Sequence, residues 1–320
     1  MCKWIWFFVS VILFPCVVSA VPQVNYLGQM EADKPAALAV DRDDTLYMIC
    51  DTGSSSGFIR ILNQKSGEES QVGGKDKEWK EILRHPTGLA LYKDRLYVTD
   101  AGLDRIAVFS KTGEFIESYG SKGSGPGMFN DPADIFVHKG VIYVADTDND
   151  RVQALGDNGV FLHEIGPADD PANRMKKPVQ VVVDVSGRIH VVTTDGQVRV
   201  YRADGAFLQM APFPPASALA MGPDGLFVAD ASALAVKKYN LDFAPVLSFG
   251  TKGDGRAQFL ELSALALGGA GTVYVADAKT GRVQMFLPEA GGCTAPLALA
   301  PPPTSARWTR AIAVDRKSVV

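Results

Sequence analysis

The sequence predicts an all-β protein, a six-bladed β-propeller of four-stranded blades with its ring closed by an N-terminal strand. Three observations predict it. A unit built on Tyr-Val-Ala-Asp recurs with marker residues Asp51, Asp100, Asp146, Thr193, Asp230 and Asp277, spaced 49, 46, 47, 37 and 47 apart, and a period of about 20 to 50 residues marks a repeat architecture. The apolar runs are four to six residues long, rich in Val, Ile, Tyr and Phe and broken by Gly or Pro, which suits short strands and not helices. Finally, the sixth unit stops after its third strand, and a segment near the N-terminus has the pattern of the missing fourth.

The unit is clearest in Val141-Ile-Tyr-Val-Ala-Asp-Thr-Asp-Asn-Asp-Arg-Val-Gln153, a strand, a polar turn opening on Asp146, and a second strand from Arg151. Tyr97 to Asp100 leads likewise to Asp104-Arg105-Ile106, Phe227 to Asp230 leads to Val236, and Tyr274 to Asp277 leads to Arg282-Val283. Met48 to Asp51 and His190 to Thr193 are weaker copies. Entry prolines open five units, at Pro35, Pro86, Pro132, Pro178 and Pro215, and Leu262-Ser263 stands there in the sixth. In the third unit, strands are predicted over 133–137, 141–145, 151–155 and 160–165, with Gly140, Gly156 to Gly159 and Gly166-Pro167 as turns. Four strands at a period near 45 make a propeller blade. Val24-Asn-Tyr-Leu-Gly-Gln-Met30 is expected to pair with Arg282 to Leu287 and leave no open sheet edge.

The two ends differ from this body. Residues 1–20 run from Lys3 through an apolar stretch to Val18-Ser19-Ala20, a pattern of a cleaved secretory signal; the run is short for a membrane anchor. Its removal takes Lys3 and no acid, so the formal charge goes from −4 to −5, a mild acidity that argues against nucleic acid or an anionic membrane as the main partner. The mature chain keeps Cys50 and Cys293. Cys50 fills the slot of Thr99, Ala145, Ala229 and Ala276, so it is read as a small buried thiol, with a disulfide to Cys293 as the alternative in an oxidising, periplasmic or extracellular compartment. Residues 289–320 are a Pro- and Ala-rich tail or linker. Asp315 to Val320 match what a common sequencing adapter encodes in frame, so the natural chain is expected to continue past about Val314.

The pattern of Pro, alternating strand, Tyr-Val-Ala-Asp, polar turn, Arg-Val-Gln, Gly, strand and Gly-rich loop resembles the NHL repeat over about residues 24 to 288. Gly120-Ser-Lys-Gly-Ser-Gly-Pro-Gly-Met-Phe129 and Gly250-Thr-Lys-Gly-Asp-Gly-Arg-Ala-Gln-Phe259 look like its loops between blades; unit four, with Thr193 and a shorter course, departs from it. The resemblance implies a six-bladed propeller of bacterial, exported type. It leaves function open among protein and RNA binding, sensing, and lyase or hydrolase activity.

In a propeller the loops from second to third strand and those between blades open on one face. The recurring aspartates there could ring a divalent cation, but an aspartate directly before a turn accepts hydrogen bonds from the turn's own backbone. Asp51, Asp100, Asp146, Asp230 and Asp277 are therefore read as structural repeat positions, with Arg105, Arg151 and Arg282 as partners. His85, His138, His163 and His190 do not converge, and only His85 reaches this face, which argues against a multi-histidine lyase site. No Gly-x-Ser-x-Gly elbow has a histidine partner. The insertion from Lys75 to His85 places Trp79, Ile82 and Leu83 at helical spacing, so Trp79 is either an anchor docking on the propeller or an exposed binding residue. Candidate ligand- or partner-binding residues are Trp79, His85, Arg105, Asp148 and Arg151. The expectation is a binding scaffold for a protein or small extracytoplasmic ligand without a cofactor; the alternative is a lyase or lactonase-like hydrolase, with a divalent metal as its conceivable cofactor.

Overall fold

The computed structural model describes residues 24–50, 57–73, 82–166, 174–269 and 271–288. Asp51, Trp79 and Cys293, the signal segment and the tail lie outside the described residues.

Six four-stranded antiparallel sheets form the blades. Blade 1 holds Pro35–Val40, Thr45–Cys50, Phe58–Asn63 and Glu69–Gly73; blade 2 holds Pro86–Tyr92, Arg95–Asp100, Arg105–Ser110 and Phe115–Tyr119; blade 3 holds Pro132–His138, Val141–Asp146, Arg151–Gly156 and Phe161–Ile165. Blade 4 follows with Pro178–Val183, Ile189–Thr193, Val198–Tyr201 and Phe207–Met210, and blade 5 with Ala216–Met221, Leu226–Asp230, Ala235–Tyr239 and Pro245–Phe249. Blade 6 takes Leu262–Leu267, Val273–Asp277 and Arg282–Pro288 from the C-terminal side and Val24–Glu31 as its outer strand. The expected closure is thus present: Val24 lies opposite Pro288 and Glu31 opposite Arg282, with a bulge at Leu27 between Tyr26 and Gly28.

The second strands explain why the ring forms. Their side chains alternate between two faces with a period of two, and here both faces are buried. Tyr47 and Ile49 pack toward blade 2, where they meet Leu89, Leu96 and Val98. Leu46, Met48 and Cys50 of the same strand pack the other way, onto Ala264, Tyr274 and Ala276 of blade 6. Every pair of adjacent blades encloses such an apolar cluster. A strand apolar on both faces needs a sheet on each side, and only a closed ring gives that to all six. Cys50 is a free thiol fully buried in its seam, and burial pushes its pKa up to about 11.

The first strands neighbour one another around the ring and so line its axis. Each carries a bulge just after its entry residue, as at Pro35/Ala37, Pro86/Gly88 and Pro132/Asp134. The bulge frees polar groups to bond across seams. Thr87 Oγ1 donates to the Pro132 carbonyl at 2.7 Å and Ser263 Oγ to that of Pro35, and from the turn after the second strand of blade 3 Thr147 Oγ1 donates to the Pro178 carbonyl at 2.7 Å. Asp134 accepts the Val181 N–H at 3.0 Å, and Gln180 bonds both the N–H and the carbonyl of Leu219 at 2.6 and 3.1 Å. Burial pushes the Asp134 carboxyl up to about 7 against the pull of its N–H donors.

The two Gly-rich connections fold alike, because each curls around a fully buried ring, Phe129 or Phe259. Short parallel pairings, Lys122 with Phe129 and Thr251–Lys252 with Gln258–Phe259, hold the curl. Gly120 (φ +86°) and Gly250 (φ +94°) stand where a Cβ would come 2.4 and 2.5 Å from those rings.

Candidate functional site

The face carrying the turns after the second strands is built by one repeated device. In blade 3, Asp146 Oδ1 accepts the Asn130 N–H at 2.8 Å, while Oδ2 accepts from Asn149 Nδ2 and Arg151 Nε at 2.9 Å and Gln153 Nε2 at 3.1 Å. Asn130 belongs to the connection entering the same blade, so the carboxylate ties that connection to the turn. Asp100 does the same with the N–H groups of Arg84, His85 and Gly102 at 2.8, 2.8 and 3.1 Å. Asp277 holds Leu260 and Glu261 at 2.7 and 3.2 Å and its own turn at Lys279 and Thr280. A backbone clip runs alongside, from Ala101 to His85, Thr194 to Lys177, Ala231 to Pro215 and Ala278 to Glu261. Blade 5 varies the device for a clear reason: Pro214-Pro215 offers no N–H, and Asp230 instead takes Ser232, Ala233 and the Lys237 ammonium, the last at 2.7 Å.

Most sequence-predicted site residues belong to this framework. Arg151 is 7% exposed and engaged throughout: it pairs with Asp146 and Glu164 and donates to the carbonyls of Gly125 and Met128. It is thus the partner of its marker aspartate. Arg105 donates to the Ile82 carbonyl at 2.8 Å and Ser118 Oγ at 3.3 Å, and Arg282 to the Gly255 carbonyl at 3.1 Å. His85 is exposed beside Pro86. Asp148 is exposed and paired with Lys177. Leu83 is fully buried in the seam between blades 1 and 2, with Ile82 packed beside it.

The histidines do not meet on this face. His163 Nε2 lies 3.1 Å from the Ala203 carbonyl. His190, expected only to sit within a strand, stands 3.2 Å from the buried Asp184, with its Nδ1 buried and unpartnered. Hydrogen bonds from His190, Ser186 and Arg188 outweigh burial and hold the Asp184 carboxyl well below the usual range. Among the described residues no three His, Cys, Asp or Glu side chains stand together as a metal site.

Blade 4 breaks the device, and there the face opens. Thr193 replaces the carboxylate, and its hydroxyl donates to Asp195 Oδ1 at 2.6 Å. A concavity of about 480 Å³ lies at this point, lined by Arg174, Lys176, Lys177, Thr194, Asp195 and Arg199 among others. Register shows how Arg199 comes to be there. It lies opposite Val191, as Gln153 lies opposite Val144 and Lys237 opposite Val228. In blades 3 and 5 that position reaches the marker carboxylate, through Gln153 and Lys237. In blade 4 there is no such carboxylate. Arg199 is oriented instead by Tyr201 Oη at 2.9 Å and by the Phe207 ring, 4.7 Å from its guanidinium carbon. Arg174 and Lys176 have no ion-pair partner among the described residues. The lining thus holds four cations and a single carboxylate, that of Asp195, which is kept below its usual range mainly by the Thr193 hydroxyl. Sequence reasoning passed over Arg174, Lys176 and Arg199. The available signal was unit four itself, with its lost aspartate and short spacing.

No curated protein matches the chain. A family model described as a 6-bladed beta-propeller matches residues 81–176, which run from the entry of blade 2 to that of blade 4. A chain in the crystal structure of a nidogen/laminin complex superposes with a TM-score of 0.54 at 18% identity, over 68% of this chain and 80% of that one. At that identity the likeness speaks for the fold alone. In sequence over blades 2 and 3, and in fold over 68% of its length, this chain is similar to six-bladed β-propellers.

Proposed function

We propose that this protein is an exported propeller of NHL type that binds a ligand through its loop face, with the concavity at blade 4 as the binding site. The observation that carries the proposal is the break in the repeat: Asp100, Asp146, Asp230 and Asp277 fasten the turns of their blades and Cys50 stands buried at that register in blade 1, while in blade 4 the position holds Thr193 and a concavity of about 480 Å³ opens beside it. Small-molecule sites fall at about 300–1,000 Å³ and pair a preformed shape with a few polar groups. Loops held on a rigid all-β frame suit such a role. The NHL assignment rests on the Tyr-Val-Ala-Asp and Arg-Val-Gln units and the paired Gly-rich loops, and export rests on the signal pattern of residues 1–20.

The test is a thermal-shift screen of the protein against a panel of small anionic, neutral and cationic metabolites. Thr194→Trp fills the concavity from an exposed position, and Asp94→Trp places the same bulk on an almost fully exposed residue of the hairpin at the opposite end. Compounds that raise the melting temperature of the parent and of Asp94→Trp, but not of Thr194→Trp, support binding here. If every hit survives Thr194→Trp, this site is wrong.

A further inference from the structure

We infer that the blade 4 concavity is an oxyanion site that takes a small molecule through a carboxylate or phosphate group, an inference that rests on the binding proposed above. Three observations converge on it. The lining is cationic: Arg174, Lys176, Lys177 and Arg199 line a space whose lining acid is Asp195, and of the four only Lys177 has a carboxylate partner, Asp148, among the described residues. That acid is already engaged, since it accepts the Thr193 hydroxyl at 2.6 Å and the Gln197 N–H at 3.2 Å. And Arg199 is preorganised. Tyr201 Oη holds Nε and Phe207 covers one face of the guanidinium, which leaves the terminal nitrogens as a planar fork suited to two oxygens of one anion.

The neighbouring blades explain why a ligand is the missing partner. At the position of Arg199, blade 5 has Lys237, whose ammonium lies 2.7 Å from Asp230. Blade 3 has Gln153, which donates to Asp146. In these two blades the donor at this register meets the carboxylate before it, and in blade 1, where Cys50 holds the marker position, Arg60 at the same register meets Glu69 of its own sheet. Blade 4 keeps the donor, strengthens it to a guanidinium, and replaces the carboxylate with Thr193. An external oxyanion supplies the partner that a carboxylate of the chain supplies to the donors of blades 1, 3 and 5. The Thr193 and Thr194 hydroxyls are neutral groups at the same mouth and suit the polar remainder of such a ligand.

The substitution Thr193→Asp tests this directly, because it restores the carboxylate of the repeat. Inorganic phosphate and citrate are titrated separately at constant ionic strength set with sodium chloride, by calorimetry and by thermal melt. The parent should bind at least one, and at ten times its dissociation constant its melting temperature should rise by about 2–4 °C; which one binds separates a phosphate ligand from a carboxylate ligand. Thr193→Asp should fold, with a melt in the absence of anion no lower than the parent's, and lose affinity at least tenfold. Lys176→Gln, an exposed change, should weaken binding severalfold and serves as a second variant should Thr193→Asp not fold. Absence of binding by either anion, or equal affinity in the parent and in the variants, overturns the oxyanion assignment. If neutral or cationic compounds still bind and Thr194→Trp blocks them, only the chemical class is wrong; if nothing binds here, the site itself falls.

Discussion

Asp230 and Lys237 show at single-residue scale what a marker carboxylate does with a cation beside it. Burial alone would push the Asp230 carboxyl up, but the Lys237 ammonium, the Ser232 hydroxyl and the N–H groups of Ala233 and Ser232 hold it at about 2, against an ordinary 3.8. A carboxyl depressed in the folded state adds stability that is complete above its unfolded pKa and disappears as pH falls through the folded value. The window here is therefore from about 4 down to about 2. Lys237→Gln should cost about 1–2 kcal/mol at pH 7, since it leaves a buried carboxylate short of its cation. Melting temperatures of parent and variant, followed from pH 5 to pH 2, should converge as the carboxyl is protonated. A gap that stays constant across that range would show that the pair contributes through packing instead. The same chemistry explains why Thr193 matters, because its substitution for aspartate removes the charge and leaves the neighbouring cation in place.

At the scale of elements, the Gly-rich connections are the parts in which backbone freedom is indispensable. Gly250 combines φ +94° with a ring atom of Phe259 2.5 Å from where a Cβ would stand, whereas Gly67 has φ +76° and nothing within 4 Å. Gly67→Ala should cost about 1 kcal/mol, the conformational term alone. Gly250→Ala adds displacement of a fully buried ring and should cost about 3–4 kcal/mol. Urea unfolding of the two variants separates the terms; equal losses would mean that the loop yields without disturbing Phe259. These loops were legible in the sequence as a matched pair, from Gly120 to Phe129 and from Gly250 to Phe259. Their closure was not. Gln153 and Gln284 reach back to them, accepting the Gly127 and Ala257 N–H groups at 2.9 Å and donating to the carbonyls of Met128 and Gln258. A glutamine within an alternating strand reads as an outward polar residue, and only the seam between blades turns it into a buried clamp.

At the scale of the whole molecule, the ring depends on one strand joining chain segments more than 250 residues apart, as Val24 lies opposite Pro288. Tyr26 meets Phe286 edge to face at 5.7 Å, and Arg256 stands 5.6 Å over the Tyr26 ring, so this closure is packed as well as hydrogen-bonded. Removing residues 21–30 should lower the melting temperature by on the order of 10 °C, because it strips the outer strand from blade 6 and exposes its apolar seam. An unchanged melt would mean that the ring closes without the strand.

The sequence by itself determined the number of blades, the strand order and the closing strand, because these follow from local signals: a period of two within strands, a spacing near 47, and Gly, Pro or Asp at the turns. It also showed that Asp146 recurs as a turn residue. What it did not show is which charges remain to be met. Arg151 and Arg199 look alike in the chain, each an arginine in a third strand, but Arg151 is consumed by Asp146, Glu164 and two carbonyls while Arg199 faces a concavity. That difference is set by residues 22 to 26 positions away in the adjoining connection, such as Gly125 for Arg151 and Arg174 to Lys177 beside Arg199. Electrostatic balance is a property of neighbours in space, so only the tertiary structure could decide where this face is left one carboxylate short.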